Sequence, residues 1–248
     1  CSPSNLHASQ TQKALHADKH VLVEIPISTK YAAAEQIARL ADQKGKTLMV
    51  AHTQRFFQPL IEARRRIAEG SFHLHHFIAS WFFLRRQNVN WKGRQRSWTD
   101  NLLWHHACHV VDVALWLLGT ENVDVSGMLS CPSESLQIPL DLNIVMRTDS
   151  GQLATISMSY NANWPIHEYT LIGEEDTFMY RSGRLETPKG VLCERKENPM
   201  LLQNTEFINA IREKRPASVN AWTVLPTMRV LQRVQNRNLH ILPAEAVR

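Results

Sequence analysis

No stretch of this 248-residue chain comes near the roughly eighteen consecutive apolar residues that a membrane span requires. Its first residues show no basic segment followed by an apolar one, so a secretory signal peptide is not expected. Cysteine is scarce: Cys1, Cys108, Cys131 and Cys193 lie far apart and make no Cys-x-x-Cys pair. That spacing argues against a cysteine-rich structural zinc or a disulfide framework and fits reduced thiols in a cytoplasm. There is no His-Glu-x-x-His stretch and no recognisable DNA or RNA motif. Internal repeats and low-complexity linkers are missing too. What remains is ordinary globular composition, 44% hydrophobic and 21% charged, in a chain long enough for one large domain and part of another.

Acidic residues are missing from one place in particular. Between Gly70 and Thr99 there is no Asp or Glu, while Arg85, Arg86, Lys92, Arg94 and Arg96 fall within twelve residues. The whole chain carries +5 with a pI near 9.2, which favours anionic partners without separating nucleic acid from a small acid. Read alone, such a run is a solvated basic loop.

The first fifty residues alternate. A helix-compatible stretch from His7 to Ala17 precedes a short apolar strand, His20 to Glu24. A second helix, capped by Ser28 or Thr29, runs to Asp42 and stops at Gly45, and Thr47 to Ala51 is another strand. This order predicts a parallel sheet whose ligand edge holds Glu24-Ile25-Pro26 and His52-Thr53-Gln54-Arg55. Beyond residue 52 come a helix at Gln58–Glu69, a strand at Phe72–Phe83 and a helix at Leu102–Leu118 ended by Gly119. A series of alternating strands follows up to Tyr180, then helices at Leu201–Lys214 and Ala221–Asn236. The fold class expected is α/β plus α+β. Residues 1–52 form the end of a parallel sheet, and 53–248 form a domain with a large, mostly antiparallel open sheet flanked by helices.

The chemistry concentrates in Trp98-Thr-Asp-Asn-Leu-Leu-Trp-His-His-Ala-Cys-His-Val-Val-Asp112. On a helix His105, His109 and Asp112 fall within about 60° of one another, with His106 to the side. Two imidazoles and a carboxylate on one face suit proton abstraction from an alcohol, because imidazole titrates near neutrality and a carboxylate can orient it. His pairs at this spacing also bind zinc, although a third ligand is then lacking. His75 and His76 receive no role.

These segments resemble the Gfo/Idh/MocA oxidoreductase family. Ser2-Pro3-Ser4-Asn5-Leu6-His7 is similar to its Thr-Pro-Asn-x-x-His turn, the strand ending Glu24-Ile25-Pro26 to its Glu-Lys-Pro, and His105 to Asp112 to its Asp-x-x-x-His-x-x-Asp helix. Two positions depart from the broad pattern: Ile25 stands where the lysine is expected and His105 where the first aspartate is. One branch, the semialdehyde dehydrogenases of protocatechuate 4,5-cleavage, is similar at both positions and across Phe82 to Asp112.

The resemblance implies a Rossmann-type dinucleotide domain, of which residues 1–52 are the C-terminal remnant. Ser2, Pro3, Asn5, His7, Glu24, Ile25 and Pro26 are then implied at the cofactor, NADP, with NAD possible. It also implies a small anionic dicarboxylate substrate held by Arg55, Arg85, Arg86, Arg96 and Trp98. His109 is implied as base, aided by His105, His106 and Asp112, with no metal. The family's Gly-x-Gly-x-x-Gly turn is expected N-terminal to Cys1, so the chain alone is expected to be inactive. A homodimer through the open sheet is expected, with no nucleic-acid or membrane partner. A sugar or inositol dehydrogenase is the nearest alternative, and a non-catalytic binding or assembly protein the alternative of another class.

Overall fold

A computed structural model describes residues 2–89, 93–96 and 98–242. Cys1 and Lys92, both named above, lie outside the described residues. The chain begins with helix α1 (His7–His16), strand β1 (Val21–Val23), helix α2 (Tyr31–Lys44) and strand β2 (Leu48–Val50). β1 and β2 pair in parallel, Val21 opposite Leu48 and Val23 opposite Val50, as the alternating pattern predicts. Neither Ser28 nor Thr29 caps α2. The helix starts at Tyr31 behind Lys30, one residue after Thr29, and the Ser28 hydroxyl instead accepts the Lys30 amide at 3.0 Å. Gly45, at φ 58°, ends α2 in the left-handed conformation that a side chain resists.

Helix α3 (Gln58–Ala68) leads into β3 (Leu74–Leu84), and then α4 (His106–Leu118). Seven further strands follow: β4 (Val123–Leu129), β5 (Asp141–Thr148), β6 (Leu153–Ser159), β7 (Asn161–Gly173), β8 (Thr177–Arg181), β9 (Arg184–Thr187) and β10 (Gly190–Glu194). They join β3 in one eight-stranded sheet of order β10-β9-β8-β7-β3-β6-β5-β4. β3 and β6 are parallel and every other pair is antiparallel. The alternation is strict in β5, where Leu142, Ile144, Met146 and Thr148 are buried and the residues between them are exposed, so one sheet face packs and the other meets solvent.

The packed face rests on α4 and on α6 (Ala221–Arg237), which follows α5 (Pro199–Arg212). α4 is apolar nearly all round. Ten of its residues are buried because it lies between the sheet and α6, and each large side chain buried there contributes about 2 kcal/mol. Gly127 in β4 lets α6 come close: a Cβ there would meet Val234 at 2.9 Å. Asn238 then ties the two elements, donating to the Gly127 carbonyl at 2.9 Å and accepting from the Leu129 amide at 3.2 Å. α6 also contacts α2 and β2, and the Val50 amide donates to the Val219 carbonyl at 2.9 Å. The C-terminal helices thereby touch both the parallel pair and the large sheet.

Candidate active site

α4 begins at His106, one turn later than its sequence pattern suggests. His105 sits before the helix at φ −92°, ψ −89°, and the Ala107 amide reaches back to Leu102. The three residues expected on one helical face are therefore split into two groups, one on each side of the helix start. This corrects the single-face arrangement. His105 Nδ1 lies 3.9 Å from Asp100, five residues earlier, while His106 Nδ1 shares a 2.6 Å hydrogen bond with the distant Tyr160 hydroxyl.

The first group is dry. Asp112 is fully buried and accepts two 2.7 Å hydrogen bonds from Arg55, through Nε and Nη2, and a third from the Thr227 hydroxyl at 3.3 Å. Such a bidentate pair satisfies the carboxylate in a place where a lone charge is costly. Burial is the largest single influence and pushes the Asp112 carboxyl up, but the Arg55 charge and hydrogen bonds, with the neighbouring His52 and His109, together outweigh it and hold the group below its ordinary range. Arg55 also donates to the Thr223 carbonyl, so this guanidinium is engaged inside the protein. His52, the residue after Ala51, lies 3.4 Å from Asp112 through Nδ1 and packs edge-on against His109, with ring centroids 5.9 Å apart at 85°. Burial lowers the His52 imidazole to about 4 and the His109 imidazole to about 3, so both rings are neutral at pH 7. His109 Nδ1 is buried, which leaves Nε2 as the nitrogen able to meet a ligand.

The second group is open. Arg85, Arg86 and Arg96 line a cleft of 660 Å³ together with Phe83, His105 and His106. Three cations meet two imidazoles there, and each arginine is aimed by a neighbour. Arg85 donates to the Asp100 carbonyl and to Asn88 and lies over the Tyr160 ring at 5.1 Å; Arg86 donates to the Tyr160 carbonyl at 3.1 Å. Arg96 pairs with Asp100 at 3.0 Å and stacks on Trp98. Aromatic packing continues from the cleft, with His106 against Trp81 and Phe83, and His167 stacked on Trp81 at 4.3 Å. His167 reaches the Tyr169 hydroxyl, which donates to Gln54 at 2.7 Å.

On the other side of the parallel pair, a 410 Å³ cleft runs between Ser2, His7, Glu24 and α5. Buried His7 bridges the Pro26 carbonyl at 2.8 Å and the Ser2 carbonyl at 3.2 Å, tying the opening turn to the end of β1. Asn5 and Glu24 are exposed; Ile25, where a lysine would project, is a core residue at 5% exposure. The end of β1 at this edge is the carboxyl end of a parallel strand, where open α/β sheets bind their ligands. Residues 1–52 hold no glycine-rich turn for a dinucleotide's pyrophosphate, their single glycine being Gly45.

Among the described residues, one grouping offers three metal-type donors within 4.8 Å: exposed His73, Glu174 and Glu175, away from both clefts. Tyr160 and His167 carry no recognisable signal in the sequence, whereas Asp100 and His52 lie in segments singled out there without a role of their own. For His52, its place beside Thr53-Gln54-Arg55 after the second parallel strand was the available hint.

Two family descriptions match the chain. "Oxidoreductase family, NAD-binding Rossmann fold" covers residues 1–52, and "Bacterial oxidoreductases, C-terminal" covers residues 61–194. A 4-carboxy-2-hydroxymuconate-6-semialdehyde dehydrogenase from Sphingobium is 34% identical over 237 residues, spanning 93% of this chain and 75% of that protein. An NADP-dependent scyllo-inositol 2-dehydrogenase from Bacillus subtilis is 29% identical over 72% of this chain and 49% of its own length. A solved UDP-N-acetylglucosamine 3-dehydrogenase from Acidithiobacillus ferrooxidans superposes with a TM-score of 0.82 at 18% identity, covering 98% of this chain and 78% of that one, and shows the shared fold. The parallel pair, the open sheet and these matches together place the chain in the Gfo/Idh/MocA family of nicotinamide-dependent oxidoreductases.

Proposed function

We propose that this chain supplies the substrate site of a dehydrogenase that oxidises the cyclic hemiacetal of 4-carboxy-2-hydroxymuconate-6-semialdehyde to 2-pyrone-4,6-dicarboxylate, with NADP as cofactor. The observation that carries this reading is the cleft in which Arg85, Arg86 and Arg96 face His105 and His106: a doubly anionic carbinol needs cations beside proton acceptors. The 34% identical relative supports the substrate, and Ile25 in place of a lysine speaks against a sugar dehydrogenase that relies on that side chain.

A bound nicotinamide supplies the hydride acceptor. The residues of this chain handle the rest. The arginines hold the two carboxylates, Trp98 backs Arg96, and the Ser2–His7 turn with Glu24-Ile25-Pro26 forms the wall for the nicotinamide end. The carbinol O–H proton passes to His109 Nε2, directly or through His105 and His106, as the C–H hydride leaves and the C=O bond forms. Arg55 acts one step back, through Asp112, and does not contact the carboxylates. The exposed sheet face, where Met128 and Trp164 are 76% and 79% exposed, is proposed as the homodimer surface; light scattering tests it.

The test is nicotinamide reduction by the full-length protein with the cyclic semialdehyde, with NAD and NADP in parallel. His109→Ala should lower kcat by roughly a hundredfold or more and leave KM within a few-fold. A loss confined to KM would remove His109 as the base, and turnover of inositols but not the semialdehyde would favour the sugar-type alternative.

A further inference from the structure

The dry group contains an oddity that the proposed reaction does not use. His52 is 1% exposed, yet both its ring nitrogens lack a hydrogen-bond partner, and Nδ1 of His109 is in the same condition. Unpartnered buried nitrogens cost free energy, so three of them side by side call for a reason. Their neighbours supply one. Asp112 can only accept, and it lies 3.4 Å from His52 Nδ1, so the neutral His52 ring keeps its proton on that nitrogen and presents a lone pair at Nε2. A lone pair on the buried edge of His109 would then add a second acceptor to a space that already holds one. A proton on His109 Nδ1 avoids this, and it leaves the Nε2 lone pair on the accessible side.

We propose that His52 is a positioning residue for His109: held by the Arg55–Asp112 pair, it keeps the His109 proton on Nδ1 so that Nε2 is the acceptor, and it lets the Asp112 charge stabilise the imidazolium formed in turnover. The order is Arg55, Asp112, His52, His109, substrate. When the carbinol O–H breaks, its proton joins Nε2, and His109 then carries N–H on both nitrogens while the hydride goes to the bound nicotinamide. The positive charge appears beside a lone pair backed by a fixed carboxylate, the orientation logic of a catalytic histidine with a buried acid. The catalytic part of this proposal rests on the dehydrogenase reading of the site; the tautomer part does not.

Other charged and titratable groups face the pair. His105 lies before α4, His106 and Asp112 are on it, Arg55 follows β2, and His167 comes from β7. Of these, Asp112 favours a proton on His109, whereas His105 and His167 oppose one when they are themselves charged.

His52→Phe keeps a ring of similar shape and removes both nitrogens, so it separates packing from positioning. Nitrogen-15 NMR of the imidazoles should show wild-type His109 as one tautomer, protonated at Nδ1, and His52→Phe should shift it toward the Nε2-protonated form. In the full-length enzyme the variant should lose roughly tenfold to a hundredfold in kcat with KM within about twofold, and the ascending limb of its pH–rate profile should move down by about one unit. His52→Gln, whose side-chain amide can donate to Asp112 but whose carbonyl can still accept, should recover part of the loss; it also serves if the Phe variant fails to fold. An unchanged His109 tautomer together with an unchanged pH profile would reduce His52 to packing and overturn the proposal. A tautomer shift in a protein that does not turn over the semialdehyde would uphold the positioning and sink the substrate assignment instead.

Discussion

On either side of the start of α4, histidine is used in opposite ways. His52 and His109 lie in a dry space beside one ion pair, Arg55–Asp112, and their rings are kept neutral by burial. His105 and His106 border an open cleft lined by three arginines, and burial next to those cations also keeps their protonation low. The first setting suits holding a geometry and a tautomer. The second suits meeting an anion that arrives from water. The contrast shows how one short helix start can serve two tasks: His105 and His106 face the open cleft, and His109, three residues on, packs against His52 on the dry side.

The largest effect should come from breaking the dry side. Asp112→Ala leaves the Arg55 charge buried without its partner and should cost about 3–5 kcal/mol in chemical denaturation. A loss below about 1 kcal/mol would show that the ion pair does not hold this region. Acid comes next. His52 and His109 have folded-state values of about 4 and about 3, below the ordinary 6.5, so the unfolded chain binds protons first. Their contribution to stability is complete above pH 6.5 and is lost as pH falls from there through about 4 for His52 and about 3 for His109, by about 3 and about 5 kcal/mol if each acted alone. A thermal melt series should therefore slope downward over that window, less steeply for His52→Phe. Equal slopes would mean that other groups govern acid unfolding.

On the open side the effects are smaller and fall on binding. Arg86→Ala should raise KM for a dicarboxylate by about tenfold, or about 1.4 kcal/mol, with kcat little changed; unchanged kinetics would remove it as an anion clamp. Tyr160→Phe deletes the hydroxyl bonded to His106 and should cost about 1 kcal/mol in stability, read by denaturant midpoint. A cost as large as that of Asp112→Ala would erase the distinction between the two sides.

Much of the architecture was legible in local pattern. The alternation in β5, the all-apolar α4 and the glycine after α2 each follow from burial or backbone sterics acting on neighbouring residues. Strands β9 and β10 were not anticipated, since short, half-exposed edge strands such as Arg184–Thr187 carry little periodicity. β7 runs seven residues earlier than its apolar stretch because Leu84 pairs with Asn161 and extends the ladder through exposed residues.

The site divides along the same line. Sequence alone determined the inventory: an acid-free basic run, three histidines and an aspartate within eight positions, and a turn followed by strands of parallel type. Those features depend on residue identity and near spacing, which survive without coordinates. Only the tertiary structure decided who meets whom. Arg55 faces Asp112 across 57 residues, Tyr160 reaches His106 across 54, and Ser4 donates to Asp100 across 96. Such contacts are set by how β2, β6 and α4 are stacked, because a partner tens of residues away can be met only through packing; His105, by contrast, leaves the helix beside Asp100, five residues earlier.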